Sequence, residues 1–281
     1  MSAAKLNLLS ESAVAQYRRE GFYFPIDVLD GPQVATYRTK LEAFESTQGQ
    51  PLQGPQRSRS HLLFTWVDEL MRHPVILDAV EDLIGPDILC WTTFFWIKEP
   101  RSETFVSWHQ DANYWGLDNN ELVSAWLALS PASEEAGCMR ILPGSHLCDP
   151  LPHTDEYAAD NMLTRGQNIH GIDENDAVSM PLDSGQASLH NIRLAHASTP
   201  NRTRERRVGL SIHYMPTHTR QIIGEWDCAS LVRGEDRFGN FAAAPPPAED
   251  LDPEAIAFHE RASAAVRDIL FKDAKQVRPT L

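Results

Sequence analysis

The stretch DILCWTTFFWIKEPRSETFVSWHQD, residues 87–111, is where the character of the chain changes. Before it, apolar residues recur at spacings of three and four; within it, β-branched and aromatic residues run together and are cut by turn residues. Ile88 to Ile97 and Thr104 to His109 read as strands, and similar runs follow at Leu122 to Leu129, Cys138 to Leu142, Gln186 to Ile192 and Arg206 to Met215. Upstream, Pro74 opens a helix carrying Leu77, Val80, Leu83 and Ile84, which Gly85-Pro86 stops. Pro32 opens another through Val34, Tyr37, Leu41 and Phe44. Ser10 caps a first helix to Glu20, with Leu9 stapled on Val14 and Gly21 ending it. Phe22 to Val28 reads as a strand and Gln48 to Ser60 as a loop.

Downstream of Pro143 the chain turns polar until about Asp183, too long for an ordinary connection, and residues 143–185 are expected to form a lid. Ala242 to Pro247 reads as a linker and Asp252-Pro253 as the start of a last helix. The pattern predicts a single α+β, mainly β domain over 1–281: a jelly-roll or barrel core at about 87–215, helical support in 1–86 and a C-terminal helix in 250–281.

With 42% apolar and 9% aromatic residues, 281 residues can bury a sizeable core, which excludes disorder. A balance of 25 Lys plus Arg against 39 Asp plus Glu gives −14, a field that repels phosphate backbones and anionic lipids. Neither nucleic acid nor membrane is expected as a partner. Met1 to Leu9 has no apolar signal region and no run of about 18 apolar residues occurs, so a cytoplasmic protein is expected. The four cysteines form no Cys-x-x-Cys pair and read as free packing residues. His259-Glu260 lacks the second histidine of a zinc-protease motif, and phosphate-loop, dinucleotide and nucleophile-elbow motifs are missing from the sequence.

Five of the seven tryptophans fall between residues 91 and 126, around His109-Gln110-Asp111. On a strand, side chains two apart share a face, so this pair supplies two of the three ligands of a facial triad for non-haem Fe(II). The third would be a histidine from another strand, for which His190, His196 and His213 are placed in or beside late strands. His153, His170 and His218 fall in loops, and His146 in a turn. Downstream, Arg206-Arg207 opens a strand that continues Val208, Leu210, Ile212. A buried arginine there is costly unless an anion meets it, and a dicarboxylate that chelates iron at its other end is such an anion. Which of Arg206 and Arg207 faces inward depends on the strand register.

The chain resembles the phytanoyl-CoA dioxygenase family of Fe(II)/2-oxoglutarate-dependent oxygenases. The resemblance rests on Trp108-His109-Gln110-Asp111, Val123-Ser124-Ala125-Trp126, Gly137-Cys138 with Leu142-Pro143-Gly144-Ser145-His146, and His196-Ala197-Ser198 with Asn201 and Arg207. It implies a double-stranded β-helix, the cupin-type jelly roll, with flanking helices. It also implies His109, Asp111 and His196 as iron ligands, Arg207 as partner of the far carboxylate of the cosubstrate 2-oxoglutarate, and Ser198, Trp126 and Phe94 as further contacts. A second basic contact would come from Arg57, Arg59 or His61.

Relatives that halogenate have a small residue in place of the acid, so Asp111 implies oxygenation. The implied reaction consumes dioxygen, releases succinate and carbon dioxide, and hydroxylates a small metabolite or natural-product intermediate. Desaturation, epoxidation or cyclisation, a fatty acyl-CoA substrate, and a non-catalytic metal-binding cupin-like module are the alternatives. Arg101, Arg140, Arg193, Arg220 and Arg233 are candidates to meet an anionic substrate, and Tyr114 and Trp115 are divided between pocket and core. The oligomeric state is not legible.

Overall fold

In the computed structural model, which describes residues 6–274 and 276, helices form where capping chemistry places them. Residues 1–5, 275 and 277–281, parts of the stretches read for a signal and for the C-terminal helix, lie outside the described residues. Helix α1 (Glu11–Glu20) starts with Ser10 Oγ accepting from the Ala13 amide and ends at Gly21, whose φ of 88° suits glycine. After β1 (Phe22–Asp27), α2 (Gly31–Gln48) opens with a reciprocal Asp30–Gln33 capping box. The expected loop at 48–60 holds a 3-10 turn at Gly54–Arg57, and a second follows at Ser60–Leu62. Helix α3 (Thr65–Met71), unforeseen, precedes α4 (Pro74–Ile84).

The strands are β2 (Ile88–Lys98), β3 (Val106–His109), β4 (Val123–Ala128), β5 (Met139–Ile141), β6 (Thr154–Asp155), β7 (Gln167–Asn168), β8 (Val178–Met180), β9 (Gln186–Asn191), β10 (His196–Ser198), β11 (Arg207–Pro216), β12 (Cys228–Arg233) and β13 (Ala242–Ala243). A short helix, α5 (Ala112–Trp115), follows β3, and α6 (Pro253–Leu270) closes the chain. Seven strands form one sheet in the order β1-β9-β4-β11-β2-β12-β13, antiparallel except for the last pair. Four form a second in the order β3-β10-β5-β8, and β6 pairs with β7. The architecture is α+β and mainly β. The large sheet draws β1 from the stretch expected as helical support, and β12 and β13 from beyond residue 215. Residues 242–247, expected as linker, contribute β13, whose amide at Ala242 bonds the Asp227 carbonyl.

The large sheet has two unlike faces. Val208, Leu210, Ile212 and Tyr214 of β11, with Phe95, Ile97, Ala125, Leu127 and Leu189 from its neighbours, join the helical residues Trp66, Val67, Leu70 and Val80 in the main core. Each such aliphatic side chain stabilises the fold by about 1.5–3 kcal/mol. The other face is read from the cross-strand register: His190, Ser124, His213 and Thr92 lie in one row, and Ser188, Trp126, Ser211 and Phe94 in the next. This polar and aromatic face and residues of the small sheet line one cavity. The 143–185 stretch is tied along β3, with Phe105 and Met162 amides bonding across and Ile169 N–H donating to the Trp108 carbonyl. It carries Met162, Leu163, Thr164 and Gln167 to the cavity. Among the described residues no helix is long and apolar enough to cross a membrane.

Candidate active site

Strands β3 and β10 pair so that His109 stands opposite His196, with ring centroids 4.1 Å apart. Asp111 does not reach them by strand pleat. β3 ends at His109, and Asp111 sits in helical backbone (φ −59°, ψ −42°) at the start of α5, so the turn swings its carboxylate back to 3.3 Å from His109 Nε2. The donor atoms of His109, Asp111 and His196 all lie within 4.8 Å of one another. Each imidazole is oriented by backbone. His109 Nδ1 donates to the carbonyls of Ser107 and His196 at 2.9 and 3.1 Å, and His196 Nδ1 to that of Leu194 at 2.9 Å. With Nδ1 carrying the proton, both Nε2 lone pairs are free for a metal.

The charge states agree with this. Burial alone would raise the Asp111 pKa, but His196 and the contact with His109 outweigh it and hold the carboxyl well below its ordinary value. Burial, and then His109, lower His196 to about 4. A carboxylate at Asp111 and a neutral imidazole at His196 are the ligating forms of those groups. Two imidazoles and one carboxylate, with neutral lone pairs turned inward, fit Fe(II). The other candidate histidines are placed differently. His213 is held at both nitrogens, by Ser124 Oγ at 2.7 Å and Ser211 Oγ at 3.1 Å. His190 lines the same cavity, its ring 5.0 Å from that of His196 and its buried Nδ1 without a partner, but it stands outside the three-residue cluster. His146 bonds the Arg18 carbonyl, as a turn residue should.

Arg207 and Arg206 separate by face. Arg206 forms ion pairs with Glu45 and Glu99, away from the cavity. Arg207 is buried at 3% exposure and lines the cavity. Its guanidinium lies 5.3 Å from the Trp126 ring and donates to the Gly137 carbonyl at 2.5 Å, while Nε has no partner. Burial draws its pKa down to about 10. Of the three upstream basic candidates, Arg59 is paired with Asp227 and His61 bonds Thr93. Arg57 is the one left over: Nε donates to the Phe95 carbonyl, the guanidinium lies over Phe94, and one terminal nitrogen is buried and unpartnered. Nearby Lys98 is fully buried and donates to Ser198 Oγ at 2.7 Å; burial and then Arg207 lower its pKa to about 6, so it is largely uncharged at neutral pH. Among the described residues, Arg207 and Arg57 make no ion pair within 4 Å, so the end of the cavity that Arg207 lines suits an anion.

The profile of the phytanoyl-CoA dioxygenase (PhyH) family matches residues 8–209. The chain belongs to the phytanoyl-CoA dioxygenase family. Among curated members, it is 27% identical over 186 residues to a probable alpha-ketoglutarate-dependent hypophosphite dioxygenase of Stutzerimonas stutzeri, a match covering 64% of each chain. It is 31% identical over 154 residues to the peroxisomal phytanoyl-CoA dioxygenase of Homo sapiens, covering 52% of this chain and 46% of that one. The match thus spans between about half and just under two thirds of these relatives. A solved structure described as a non-heme monooxygenase, ThoJ apo, superposes with a TM-score of 0.79 at 34% identity, covering 92% of this chain and 97% of that one.

All seven residues that the family resemblance singled out, His109, Asp111, His196, Arg207, Ser198, Trp126 and Phe94, line the one cavity, and Tyr114 and Trp115 line it too. The five arginines offered for an anionic substrate do not. Arg140 pairs with Glu174, Arg233 with Asp78 and Glu81, Arg193 bonds the Cys148 carbonyl, and Arg101 and Arg220 are exposed. Two residues escaped the sequence reading. Lys98 looked like an ordinary strand-end lysine. Gly209 stands opposite both Ala128 and Trp96, and a Cβ there would meet Trp126 Cζ2 at 1.9 Å; its bareness lets the indole lie flat where Arg207 stacks.

Proposed function

We propose that this chain is an Fe(II)- and 2-oxoglutarate-dependent dioxygenase that hydroxylates a small molecule on a double-stranded β-helix core. The observation that carries the reading is Arg207: a buried, acid-free guanidinium in the same cavity as a two-histidine, one-carboxylate cluster. Fe(II), with 2-oxoglutarate and dioxygen, would supply the oxidising chemistry, releasing succinate and carbon dioxide and placing oxygen on the substrate.

The protein's own part is positioning and shielding. His109 and His196 present Nε2 because backbone carbonyls hold their Nδ1 protons. Asp111 would contribute the charged ligand beside the two imidazoles, and with this chain supplying three ligands the metal could also accept the keto acid and dioxygen. A metal ligated by the Asp111 carboxylate would have no vacancy there for a halide, which supports oxygenation. Arg207 offers two parallel donors to the far carboxylate, Trp126 and Ser198 line that end, and Arg57 behind Phe94 adds positive field. Met162, Leu163 and Thr164 of the 143–185 stretch roof the site and exclude water, the role of a lid. A non-catalytic module is disfavoured because the cluster and the buried arginine occur together.

The test is incubation of the purified protein with Fe(II), 2-oxoglutarate and air, with succinate as readout. Succinate release that needs both additions and is lost in Asp111→Ala supports the reading. No succinate from the wild-type protein overturns it.

A further inference from the structure

Resting on the oxygenase reading, we propose that the substrate is a neutral, largely apolar molecule, held against the wall that Trp91, Trp115 and Tyr114 form with Leu163 and Thr164, and that both anionic and cationic molecules are rejected. The cavity has two chemically distinct ends. At one, Arg207 lies against Trp126, and Trp126 clusters with Trp96 and Met139. At the other, beyond the metal-binding cluster, Trp91 and Trp115 pack with ring centroids 4.9 Å apart and Val266 of α6 joins their cluster. Leu270 of α6 and Leu163 complete this wall.

Arg207 is the one Lys or Arg that lines the cavity among the described residues, and the cosubstrate uses it. A carboxylate or phosphate seated at the tryptophan end would be desolvated without a counter-charge, a cost it avoids by staying in water. The cations nearby are engaged. Arg59 is paired with Asp227, and Arg165 with Asp155 while donating to the carbonyls of Leu270 and Lys272. These same guanidinium groups lie 5.7 Å from the Trp91 ring and 5.2 Å from the Tyr114 ring. They already occupy one face each of Trp91 and Tyr114, and Asp111 of the metal-binding cluster is the one Asp or Glu lining the cavity among the described residues, so an ammonium substrate finds no free counter-charge there either. Outside the cavity, residues 143–185 carry eight Asp and Glu against one arginine, Arg165, a field that repels a polyanion on approach. Hypophosphite and phytanoyl-CoA, named for the two curated relatives, are both anions; this cavity is built for a molecule without such a handle.

The test uses the protein loaded anaerobically with Fe(II) and 2-oxoglutarate and titrated by calorimetry with matched probes. These are 2-naphthol, 2-naphthoate and 2-naphthylmethylammonium on one skeleton, and octanol with octanoyl-CoA on another. Each neutral probe should bind at least about tenfold more tightly than its charged partners. Trp115→Ala should weaken 2-naphthol about tenfold without changing 2-oxoglutarate affinity, and Thr164→Arg, on the half-buried roof, should turn the preference toward 2-naphthoate. Charged probes binding as tightly as neutral ones, or no saturable binding of either neutral probe, overturns the proposal. The same titration on metal-free protein keeps the two claims apart. A protein that binds neither Fe(II) nor 2-oxoglutarate but keeps the probe order contradicts the oxygenase reading alone, whereas a wrong probe order in a protein that binds both contradicts this proposal alone.

Discussion

Along β11, Val208, Leu210, Ile212 and Tyr214 face the helices, while Arg207, Gly209, Ser211 and His213 face the cavity. Both sets are buried. The outward set is satisfied by burial itself, and its one polar atom, Tyr214 Oη, donates to the Met71 carbonyl at 2.7 Å. The inward set is not so self-sufficient: Arg207 Nε, and His190 Nδ1 on β9 of the same sheet, are buried without partners. Stability demands that buried polar groups be paired, and a fold that leaves a guanidinium short of an acid does so where a ligand completes it. The two faces of one strand therefore separate what folds the chain from what it does.

The contrast is open to attack, beginning with the metal cluster. His196→Ala removes one of the three proposed ligands and should lower Fe(II) affinity by more than about 100-fold, with succinate release lost and the thermal midpoint of the metal-free protein not reduced. Equilibrium dialysis of Fe(II) checks it; retained affinity would move the third ligand to His190. On the outward face, Leu210→Ala should cost about 2–5 kcal/mol of stability in urea unfolding and leave Fe(II) and 2-oxoglutarate affinities of the folded protein unchanged. A large loss of cosubstrate affinity there would mean that the faces are not separable. Gly209→Ala tests the inward face by volume: the added methyl collides with Trp126 and should cost about 1–3 kcal/mol of stability. Here 2-oxoglutarate affinity should fall as well, since Arg207 stacks on the displaced ring.

The smallest expected effect is that of acid on the metal-free protein. Burial lowers His213 to about 4, and burial with His109 lowers His196 to about 4, from an ordinary 6.5. Between those values the unfolded chain binds more protons than the folded one, so stability is full above pH 6.5 and falls as the pH drops through the window. From pH 7 to 6 these two groups alone should contribute a loss of about 1 kcal/mol, seen as a lower thermal midpoint, and buried His61 and His190, also lowered, act in the same direction. A flat profile would show that these imidazoles are solvated in the folded state.

The long strands were legible because six or more residues alternate or run apolar, as in β2, β4, β9 and β11, and the main helices because their ends carry Ser10, Gly21, Pro32 and Pro74. What was missed lacks such signals. Helix α3 begins at Phe64 with no side-chain cap, and β10 has three residues, held by β3 and β5 on either side rather than by its own pattern. That His109, Asp111 and His196 come together was legible from His-x-Asp and the His196 motif, but the reason they converge was not: a turn, not the pleat, brings in Asp111. Residues whose meaning lies in a cross-strand neighbour stayed hidden. Gly209 matters because Trp126 lies over it, and Lys98 because β10 turns Ser198 toward it. Arg57 and Arg59, two apart in sequence, could be told apart only once Asp227, far along the chain, was seen to claim Arg59.

The most direct test is an anaerobic titration of 2-oxoglutarate into the Fe(II)-loaded protein, following the metal-to-ligand charge-transfer absorption. The wild-type protein should saturate. Arg207→Ala should bind about 3–5 kcal/mol more weakly, since the far carboxylate is left buried and unpaired, whereas Arg206→Ala, which breaks ion pairs on the outer face, should bind as the wild type does. No charge-transfer band in the wild type, or unchanged affinity in Arg207→Ala together with a large loss in Arg206→Ala, would contradict the account.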